Sequence, residues 1–573
     1  MTIGLDLQNL LQWATSHGCQ ISDSIEFRAS HQGVSVYSKE TFSLSKYEVI
    51  VPDSIIITPD KAFEQLDIDP KIDPVLALKL YLCYLKSTGH EDFAAYVKCL
   101  PPLRKIGSPI TFSEQELDLL KGTNIFNSVP AMRAQLLAEY EELLTSQGWI
   151  IAKNYDKLCK DDFFSLITGE LSEGCHYPPQ FSWFLWAHLI LTSRAFPYRL
   201  INPKAPSNAV MLLPIVDLFN HKAGSKVTWL PSQSQFGIRI EETVGQGEEL
   251  FNNYGPKGNE ELFIGYGFTI PDNEHEQLQL SINIQDVSER DLGIWDIKLP
   301  KMSDYTFSVS SDGQEEHGKE VMTTAVFICN NYHTLPEGLL ELFAYKSRNQ
   351  EDTQKTLASL FKGLNNLKAA IDHKFKNITD KPSFGFYTNS HLIPGATNGN
   401  DQLLSGNCEN SIIYKRSQLK LGKLIKASLK DEEKRLLKTY RAKLITVKDM
   451  IKKDLFISEA ITKFNFASPE ENLSVIEQEI LVSYWLLMVA KGVSSNLNSD
   501  WVQKEFLNCA DTIHSESSDA VRMYEMLSQD SNIPDWQEMV SLEEFVKADQ
   551  VKMRNYYAKG AKGEPILIVP TTL

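Results

Sequence analysis

The hydrophobic pattern changes period along the chain, and each change predicts a different kind of element. Between residues 22 and 58, apolar and polar positions alternate in short bursts separated by turn residues, which predicts small β-strands and hairpins. These bursts are IEFRAS, VSVYS, YEVIV and SIIIT. From about residue 72 to 145 the period becomes helical, as in VLALKLYLCYLK and AMRAQLLAEYEELL. The apolar segment 181–194 also predicts a helix.

Strand patterns return between residues 209 and 254. AVMLLPIVDLF, KVTWL and FGIRI predict strands, and GQGEE predicts a turn. Beyond about residue 320 the period is mostly helical, interrupted by a stretch rich in Gly, Asn and Ser at 387–410 that predicts a loop. Strands on both sides of a helical block indicate a β-fold split by a helical insertion.

The length of the chain requires more than one packed unit. A chain of 573 residues is expected to form two or three such units. The predicted boundaries are an N-terminal helix at 1–21, a β-containing domain at 22–268 with its helical insertion at about 60–175, a connecting segment at 269–319, and a mostly helical domain at 320–573.

Composition narrows the function classes. A hydrophobic fraction of 42% and a charged fraction of 23% are typical of a soluble globular protein. The net charge of −17 argues against a general nucleic-acid surface and favours a basic partner. The eight cysteines include no C-x-x-C pair, which argues against a zinc site and favours a reducing compartment. The most apolar segment, 181–196, contains a histidine and an arginine and is too short for a membrane span.

Several common catalytic motifs are missing from the sequence. It contains no G-x-x-x-x-G-K-[ST], no G-x-G-x-x-G after a strand, no H-E-x-x-H and no G-x-S-x-G. Nucleotide hydrolysis, Rossmann dinucleotide chemistry, zinc proteolysis and serine hydrolysis therefore have no local support.

The stretch FNNYGPKGNEELFIGYGF, residues 251–268, contains two Tyr-Gly pairs. Its simplest interpretation is two core rings on either side of a short helix, with Asn259 as the N-cap and Glu260 and Glu261 in the first turn. Glycine after each tyrosine lets the backbone turn sharply.

Three further motifs precede this stretch in the chain. Gln32-Gly33-Val34-Ser35 lies between predicted strands, Ser193-Arg194-Ala195-Phe196 ends the apolar helix, and DLFNH occupies 217–221. Each motif alone has an ordinary structural explanation: a hairpin glycine, a cation at a helix C-terminus, and a polar turn after a strand.

Taken together and in this order, the motifs resemble the SET-domain protein-lysine methyltransferases of the Rubisco large-subunit methyltransferase-like class. Fungal enzymes of similar layout modify ribosomal proteins, translation elongation factor or cytochrome c. The matching residues are Ser-Arg-Ala-Phe, DLFNH, NYGPKGNEEL at 253–262 and YGF at 266–268. IYKRSQLKLGKLI at 413–425 is similar to the long C-terminal helix of the class. The early turn departs from the family pattern Glu-Gly-x-Gly, because it lacks the Glu and the second Gly.

The resemblance implies an α+β SET-domain fold with a helical insertion, followed by a mostly α-helical C-terminal domain that binds substrate. It implies methyl transfer from S-adenosyl-L-methionine to a lysine ε-amine of a protein, with no metal. Tyr254 would orient the amine at the transferred methyl group. The implied cofactor-binding residues are Gln32, Val34, Arg194, Asp217, Asn220, His221, Tyr254, Tyr266 and Phe268.

Two alternatives stay open from the sequence. One is a SET-like scaffold that binds proteins without catalysis, and the other is a protein-histidine methyltransferase of the same architecture. For the enzyme, we expect a basic protein substrate, either a ribosomal protein or an elongation factor, and neither direct nucleic-acid binding nor membrane association. The expected location is the cytoplasm, with a nuclear pool allowed.

Overall fold

The computed structural model describes residues 2–30, 33–41, 47–146, 180–300, 323–378, 399–466, 473–509, 518–529, 536–560 and 563–573. The chain divides into two compact units. The first comprises Met1–Gln277 with Asn377–Lys420, and the second comprises Leu278–Lys376 with Leu421–Leu573.

The first unit combines short antiparallel strands with helices. Its strands are β1 (Gln20–Ile21), β2 (Ile25–Ser30), β3 (Gly33–Ser38), β4 (Tyr47–Pro52), β5 (Phe196–Pro197), β6 (Val210–Met211), β7 (Val227–Pro231), β8 (Gln235–Ile240) and β9 (Glu249–Leu250). Its helices are α1 (Thr2–Ser16), α2 (Pro59–Leu66), α3 (Pro74–Thr88), α4 (Ala94–Cys99), α5 (Glu114–Asp118), α6 (Asn124–Ser146), α7 (Phe181–Arg194) and α8 (Asn259–Tyr266).

These strands form three small sheets. The largest runs β1-β4-β8-β7, a second runs β2-β3-β9, and β5 pairs with β6. In the second sheet Val36 pairs with Leu250, and Tyr37 pairs with Glu249. The pairing of β3 with β9 therefore brings the early turn beside the segment that leads into Tyr254.

Helix α7 lies in the interior of the first unit. Its sequence FSWFLWAHLILTSR is apolar around most of its circumference, and Phe184, Leu185 and Leu189 are fully buried. A helix that is apolar on all sides is typical of a position surrounded by other elements. The helix ends at Arg194, so its C-terminus delivers this side chain to the predicted site. In the part of the chain that the structure describes, no helix is long and apolar enough to cross a membrane.

Two predicted strands are shorter or absent. SIIIT forms a 3-10 turn at Asp53–Ile55, with Ile57 making a single bridge to Leu212. In AVMLLPIVDLF only β6 is a strand, and a 3-10 turn follows at Val216–Leu218. Both runs are apolar because their residues are buried, and a buried run does not by itself distinguish a strand from irregular chain.

The second unit is mostly helical. Its helices are α9 (Glu289–Ile294), α10 (Leu339–Lys346), α11 (Leu357–Lys376), the second half of α12 (Gly399–Thr439), α13 (Val447–Lys453), α14 (Leu455–Lys463), α15 (Val475–Ala490), α16 (Asp500–Asn508), α17 (Ser518–Gln529), α18 (Trp536–Met539) and α19 (Leu542–Arg554). Its sheets are β10 (Gln277–Asn283) with β11 (Thr324–Asn330), and β12 (Leu444–Thr446), β14 (Glu564–Ile568) and β13 (Tyr556–Lys559) in that order. Trp485 and Trp536 lie in its core.

The predicted loop at 387–410 is wrong for the residues from 399 onward, and 387–398 lie outside the described residues. Residues 399–410 form the first turns of α12. Asn407 is buried in the first unit and donates a hydrogen bond to Oε1 of Glu116 at 2.8 Å, and the Ser411 hydroxyl donates to the carbonyl of Asn407 at 2.8 Å. Tertiary contacts of this kind override the weak helix propensity of Gly, Asn and Ser.

Candidate active site

Two segments of the first unit meet where the polar motifs lie. His221 forms a parallel bridge with Asn252. The main-chain N–H of Asn252 donates to the carbonyl of Asn220 at 2.8 Å, and the N–H of Lys222 donates to the carbonyl of Asn252 at 3.1 Å. The buried side chain of Asn252 accepts a hydrogen bond from the Trp229 indole at 3.0 Å. The motifs DLFNH and NNYG are therefore held in a fixed register.

Tyr254 is fixed at both its ring and its hydroxyl. The hydroxyl donates to the main-chain carbonyl of Phe219 at 2.8 Å. The ring stacks on His221 with centroids 4.8 Å apart and on Tyr266 with centroids 5.1 Å apart. Burial raises the pKa of Tyr254 well above its ordinary value, so the phenol is neutral at physiological pH. Because its proton is given to Phe219, the oxygen lone pairs remain to accept from another group.

His221 is a neutral ring with an assigned tautomer. Its Nδ1 lies 3.1 Å from the main-chain N–H of Tyr254, which can only donate. Nδ1 therefore accepts, and Nε2 carries the proton. Burial, assisted by the positive charge of Lys257, lowers the pKa of His221 to about 4. The ring is thus a hydrogen-bond partner rather than a cation at neutral pH.

The second Tyr-Gly pair completes an aromatic cluster. Tyr266 and Phe268 meet edge to face with centroids 6.3 Å apart, and Phe268 lies 6.5 Å from His221. Between them Gly267 ends α8 with a φ of 78°. A Cβ atom there would lie 1.6 Å from the carbonyl oxygen of Ile106, so glycine is required by both conformation and space.

Asn259 is not the N-cap of α8. The helix begins at Asn259 and its N-cap is Gly258, while Glu260 and Glu261 occupy the first turn as predicted. The Asn259 amide is fully buried, and it accepts from the N–H of Ile270 at 2.8 Å and donates to the carbonyl of the same residue at 3.0 Å. The side chain therefore holds the chain beyond the helix instead of capping its start.

Arg194, which is half-buried, forms an ion pair with the buried side chain of Asp217. Nη1 of Arg194 donates to Oδ2 of Asp217 at 3.1 Å and to its main-chain carbonyl at 3.0 Å. The Tyr96 hydroxyl donates to the same Oδ2 at 2.9 Å. Burial raises the pKa of Asp217, and Arg194 and Tyr96 oppose the rise. Burial also disfavours the guanidinium charge, but Asp217 outweighs this and raises the pKa of Arg194, which stays charged.

Asn220 is exposed and belongs to a second polar group. Its Nδ2 donates to Oγ of Ser35 at 3.0 Å and to Oε1 of Glu249 at 2.7 Å. Val34 precedes Ser35 in β3 and is half-buried. Gln32, the remaining predicted site residue, lies outside the described residues.

Two curated relatives align with almost the whole chain. Ribosomal lysine N-methyltransferase 1 of Saccharomyces cerevisiae is 28% identical over 547 residues, covering 89% of this chain and 90% of the relative. Protein-lysine N-methyltransferase EFM1 of the same yeast is 24% identical, with 98% of both chains covered. The solved SET domain of LSMT bound to lysine and AdoHcy has a TM-score of 0.54 at 17% identity, covering 82% of this chain and 100% of that one. No family model matches the sequence.

The chain has the SET-domain fold of the solved LSMT structures, and over most of its length it is similar to protein-lysine methyltransferases. The predicted α+β SET fold with a C-terminal helical region is confirmed. The structure brings together most of the residues predicted for the site. Tyr254, His221, Tyr266 and Phe268 form one cluster, and Arg194 and Asp217 are joined by a hydrogen bond.

Sequence patterns missed several residues that hold the candidate site together. They are Ser35, Tyr96, Glu249 and Asn252. Ser35 could have been found, since it replaces the second glycine of the family turn and so adds a side chain there. Tyr96 has no local signal, because its partner Asp217 is 121 positions away. In the described residues, no group of His, Cys, Asp or Glu could hold a metal ion.

Proposed function

We propose that Tyr254 orients a lysine ε-amine for methylation, and that Arg194, Asn220, His221, Tyr266 and Phe268 surround the cofactor. The observation that carries this proposal is the donation from the Tyr254 hydroxyl to the Phe219 carbonyl at 2.8 Å. This hydrogen bond uses the only proton of the Tyr254 hydroxyl. The oxygen lone pairs are then the part of the side chain that an incoming amine N–H can meet.

The groups of the site suit S-adenosylmethionine. The charged guanidinium of Arg194 suits a carboxylate, and the exposed amide of Asn220 and the Nε2–H of His221 suit polar groups. The aromatic cluster suits a purine ring and a sulfonium. When bound, this cofactor supplies a methyl group on a positively charged sulfur, already activated for attack by nitrogen.

The chain need not provide a dedicated base. A lysine with a pKa of about 10.4 is neutral at pH 7 only at a cost of about 4.6 kcal/mol. Enclosure of the amine next to a positively charged sulfonium would lower this cost, because desolvation and like charge both disfavour the charged amine. The neutral phenol of Tyr254 and the neutral ring of His221 then act by orientation, and their pKa values make neither of them a strong base at pH 7.

For the substrate we propose a cytoplasmic ribosomal protein or a translation elongation factor. One of the two yeast relatives is a ribosomal lysine N-methyltransferase, which supports a ribosomal protein as the substrate. The net charge of −17 also supports it, because basic substrates are attracted to an acidic enzyme. Such attraction speeds encounter and is screened over about 8–10 Å.

The deciding experiment compares the methylation of ribosomal proteins and elongation factors in cells with and without this chain, by mass spectrometry of the modified residue. We expect one lysine to lose its methyl groups without the enzyme, and purified enzyme to restore them. Modification of a histidine instead would establish the histidine methyltransferase alternative. Cofactor binding without transfer to any protein would establish the scaffold alternative.

A salt series tests the electrostatic part of the proposal. Methylation of the intact protein substrate below saturation should slow as salt rises from low to physiological levels. Methylation of a short neutral peptide around the same lysine is the control, and it should change much less. Equal salt dependence for the two substrates would contradict electrostatic attraction between enzyme and substrate.

A further inference from the structure

Tyr96 lies in the interior of the first unit with its hydroxyl directed at the ion pair. It belongs to α4, within the predicted helical insertion, and only 1% of the residue is exposed. Its hydroxyl donates to Oδ2 of Asp217 at 2.9 Å. A buried tyrosine hydroxyl needs a hydrogen-bond partner, but a carboxyl group shared with an arginine is a specific choice. Tyr96 is absent from the family motifs, so its contact assigns it a role that those motifs do not.

Asp217 depends on few donors. Its side chain has no exposed area, Oδ2 accepts from both Tyr96 and Arg194, and Oδ1 has no partner among the described residues. The side-chain hydrogen bonds that fix the orientation of the Asp217 carboxyl group therefore all end on one oxygen, Oδ2. Removal of the Tyr96 hydroxyl would leave Arg194 as the only side chain that holds this group.

Arg194 reaches outward from this contact. Its side chain is 24% exposed, and only Nη1 is used in hydrogen bonds with the described residues. Both of these bonds end on Asp217. The position of the guanidinium therefore follows the position of Asp217, while the other donors of the guanidinium stay open to a ligand.

The backbone around Asp217 is constrained as well. Ile215 precedes the 3-10 turn at Val216–Leu218 with a φ of 75°, which is unusual for a β-branched residue. Such a conformation persists only when the surroundings hold it. The hydrogen bonds that Tyr96 and Arg194 make to Asp217 lie within this turn and help to hold it.

We propose that Tyr96 is a positioning residue of the cofactor site, whose hydroxyl orients Asp217 and, through it, aims the Arg194 guanidinium at the cofactor carboxylate. This inference rests on the proposed role of Arg194. Tyr96 touches neither cofactor nor substrate, and acts only through Asp217.

The test replaces Tyr96 by Phe, which keeps the buried ring and removes the oxygen. Calorimetry with Tyr96→Phe should show about tenfold weaker binding of S-adenosylmethionine and of S-adenosylhomocysteine, because both carry the carboxylate. Binding of 5′-methylthioadenosine, which lacks the carboxylate, should be unchanged. Weaker binding of all three ligands by the same factor would indicate general loosening and would overturn the proposal, as would unchanged binding of all three.

Tyr198→Phe is a matched control. Tyr198 is buried in the same unit, and its hydroxyl donates to Oδ2 of Asp60 at 2.6 Å, so the substitution also removes a tyrosine–aspartate hydrogen bond. It should leave the affinity for all three ligands unchanged. An equal loss of S-adenosylmethionine affinity in Tyr198→Phe and Tyr96→Phe would show that Tyr96 contributes only to stability.

A double-mutant cycle with Asp217→Asn tests the route of the effect. If Tyr96 acts through Asp217, the loss of affinity in the double variant should be well below the sum of the losses in the two single variants. Additive losses would overturn this route. Failure of the wild-type enzyme to bind S-adenosylmethionine would instead overturn the proposed cofactor site itself, so the two failures are distinguishable.

Discussion

Replacement of Tyr254 by Phe isolates a single oxygen atom. The Tyr254 ring keeps its stacking on His221 and Tyr266, since neither contact involves the hydroxyl. The one hydrogen bond lost is the donation to the Phe219 carbonyl at 2.8 Å. The variant should therefore fold and keep the aromatic cluster.

The substitution should have a small effect on stability and a large effect on turnover. Loss of one neutral hydrogen bond should lower the free energy of unfolding by about 1 kcal/mol. Loss of the fixed oxygen from the reaction site should lower turnover by about 100- to 1,000-fold, as removal of one preorganised polar group does in other enzymes. Affinity for S-adenosylmethionine should stay within about threefold, because we assign its binding to other side chains.

The assay is single-turnover methyl transfer to the protein substrate, with cofactor affinity measured separately by calorimetry. Tyr414→Phe is the matched control. Tyr414 is fully buried in the same unit, and its hydroxyl donates to Oε2 of Glu260 at 2.6 Å. Tyr414→Phe should lose at least as much stability, because its acceptor is a carboxyl group, and should keep normal turnover.

Two results would refute the assignment of Tyr254. Turnover within about threefold of wild type in Tyr254→Phe would show that the oxygen does not orient the amine. A loss of cofactor affinity as large as the loss of turnover would show that Tyr254 acts in binding rather than in the transfer step.

Three further predictions follow from the same region. Arg194→Ala and Asn220→Ala should each weaken S-adenosylmethionine binding by about 1–3 kcal/mol in calorimetry, and unchanged affinity in both would remove them from the cofactor site. Gly267→Ala should prevent normal folding, because its Cβ has no room and its φ is positive, whereas Gly265→Ala, inside α8 with nothing near its Cβ, should melt at or slightly above the wild-type temperature. The pKa of His221 is lowered to about 4, so its contribution to stability is complete above the unfolded value of about 6.5 and is lost as pH falls towards 4. Urea unfolding from pH 7.5 to 4.5 should show a weaker pH dependence in His221→Asn, and identical pH profiles would contradict the burial of a neutral ring.

The sequence was informative where motifs are local. The turns at both Tyr-Gly pairs follow from glycine, and Gly255 and Gly267 have φ values of 98° and 78°. The helix between the pairs was also predicted, but Asn259 was given the wrong role in it. Local rules prefer Asn as a cap, while in the structure a tertiary contact with Ile270 takes up its amide.

The sequence was uninformative where partners are distant. Tyr96 looks like any core aromatic of an amphipathic helix, and only the folded chain brings its hydroxyl to Asp217. Ser35 changes the family turn, but its acceptor role towards Asn220 depends on strands that meet across the unit. The hydrophobic period of an element predicts which of its sides is buried, but it does not predict which residues of other elements pack against that side.

The pairing of β3 with β9 has a consequence for the order in which the enzyme becomes active during synthesis. Val36 emerges from the ribosome more than 200 residues before its partner Leu250. The segment that contains Asn220 must likewise wait for Asn252. Contacts between such distant residues form slowly, because a long loop must close before they stabilise anything. The nascent chain can thus build the helices α3, α6 and α7 early, but Tyr254 and the register that holds it are in place only after residue 268 has been made. A half-made chain therefore lacks the assembled site that we propose for cofactor and lysine.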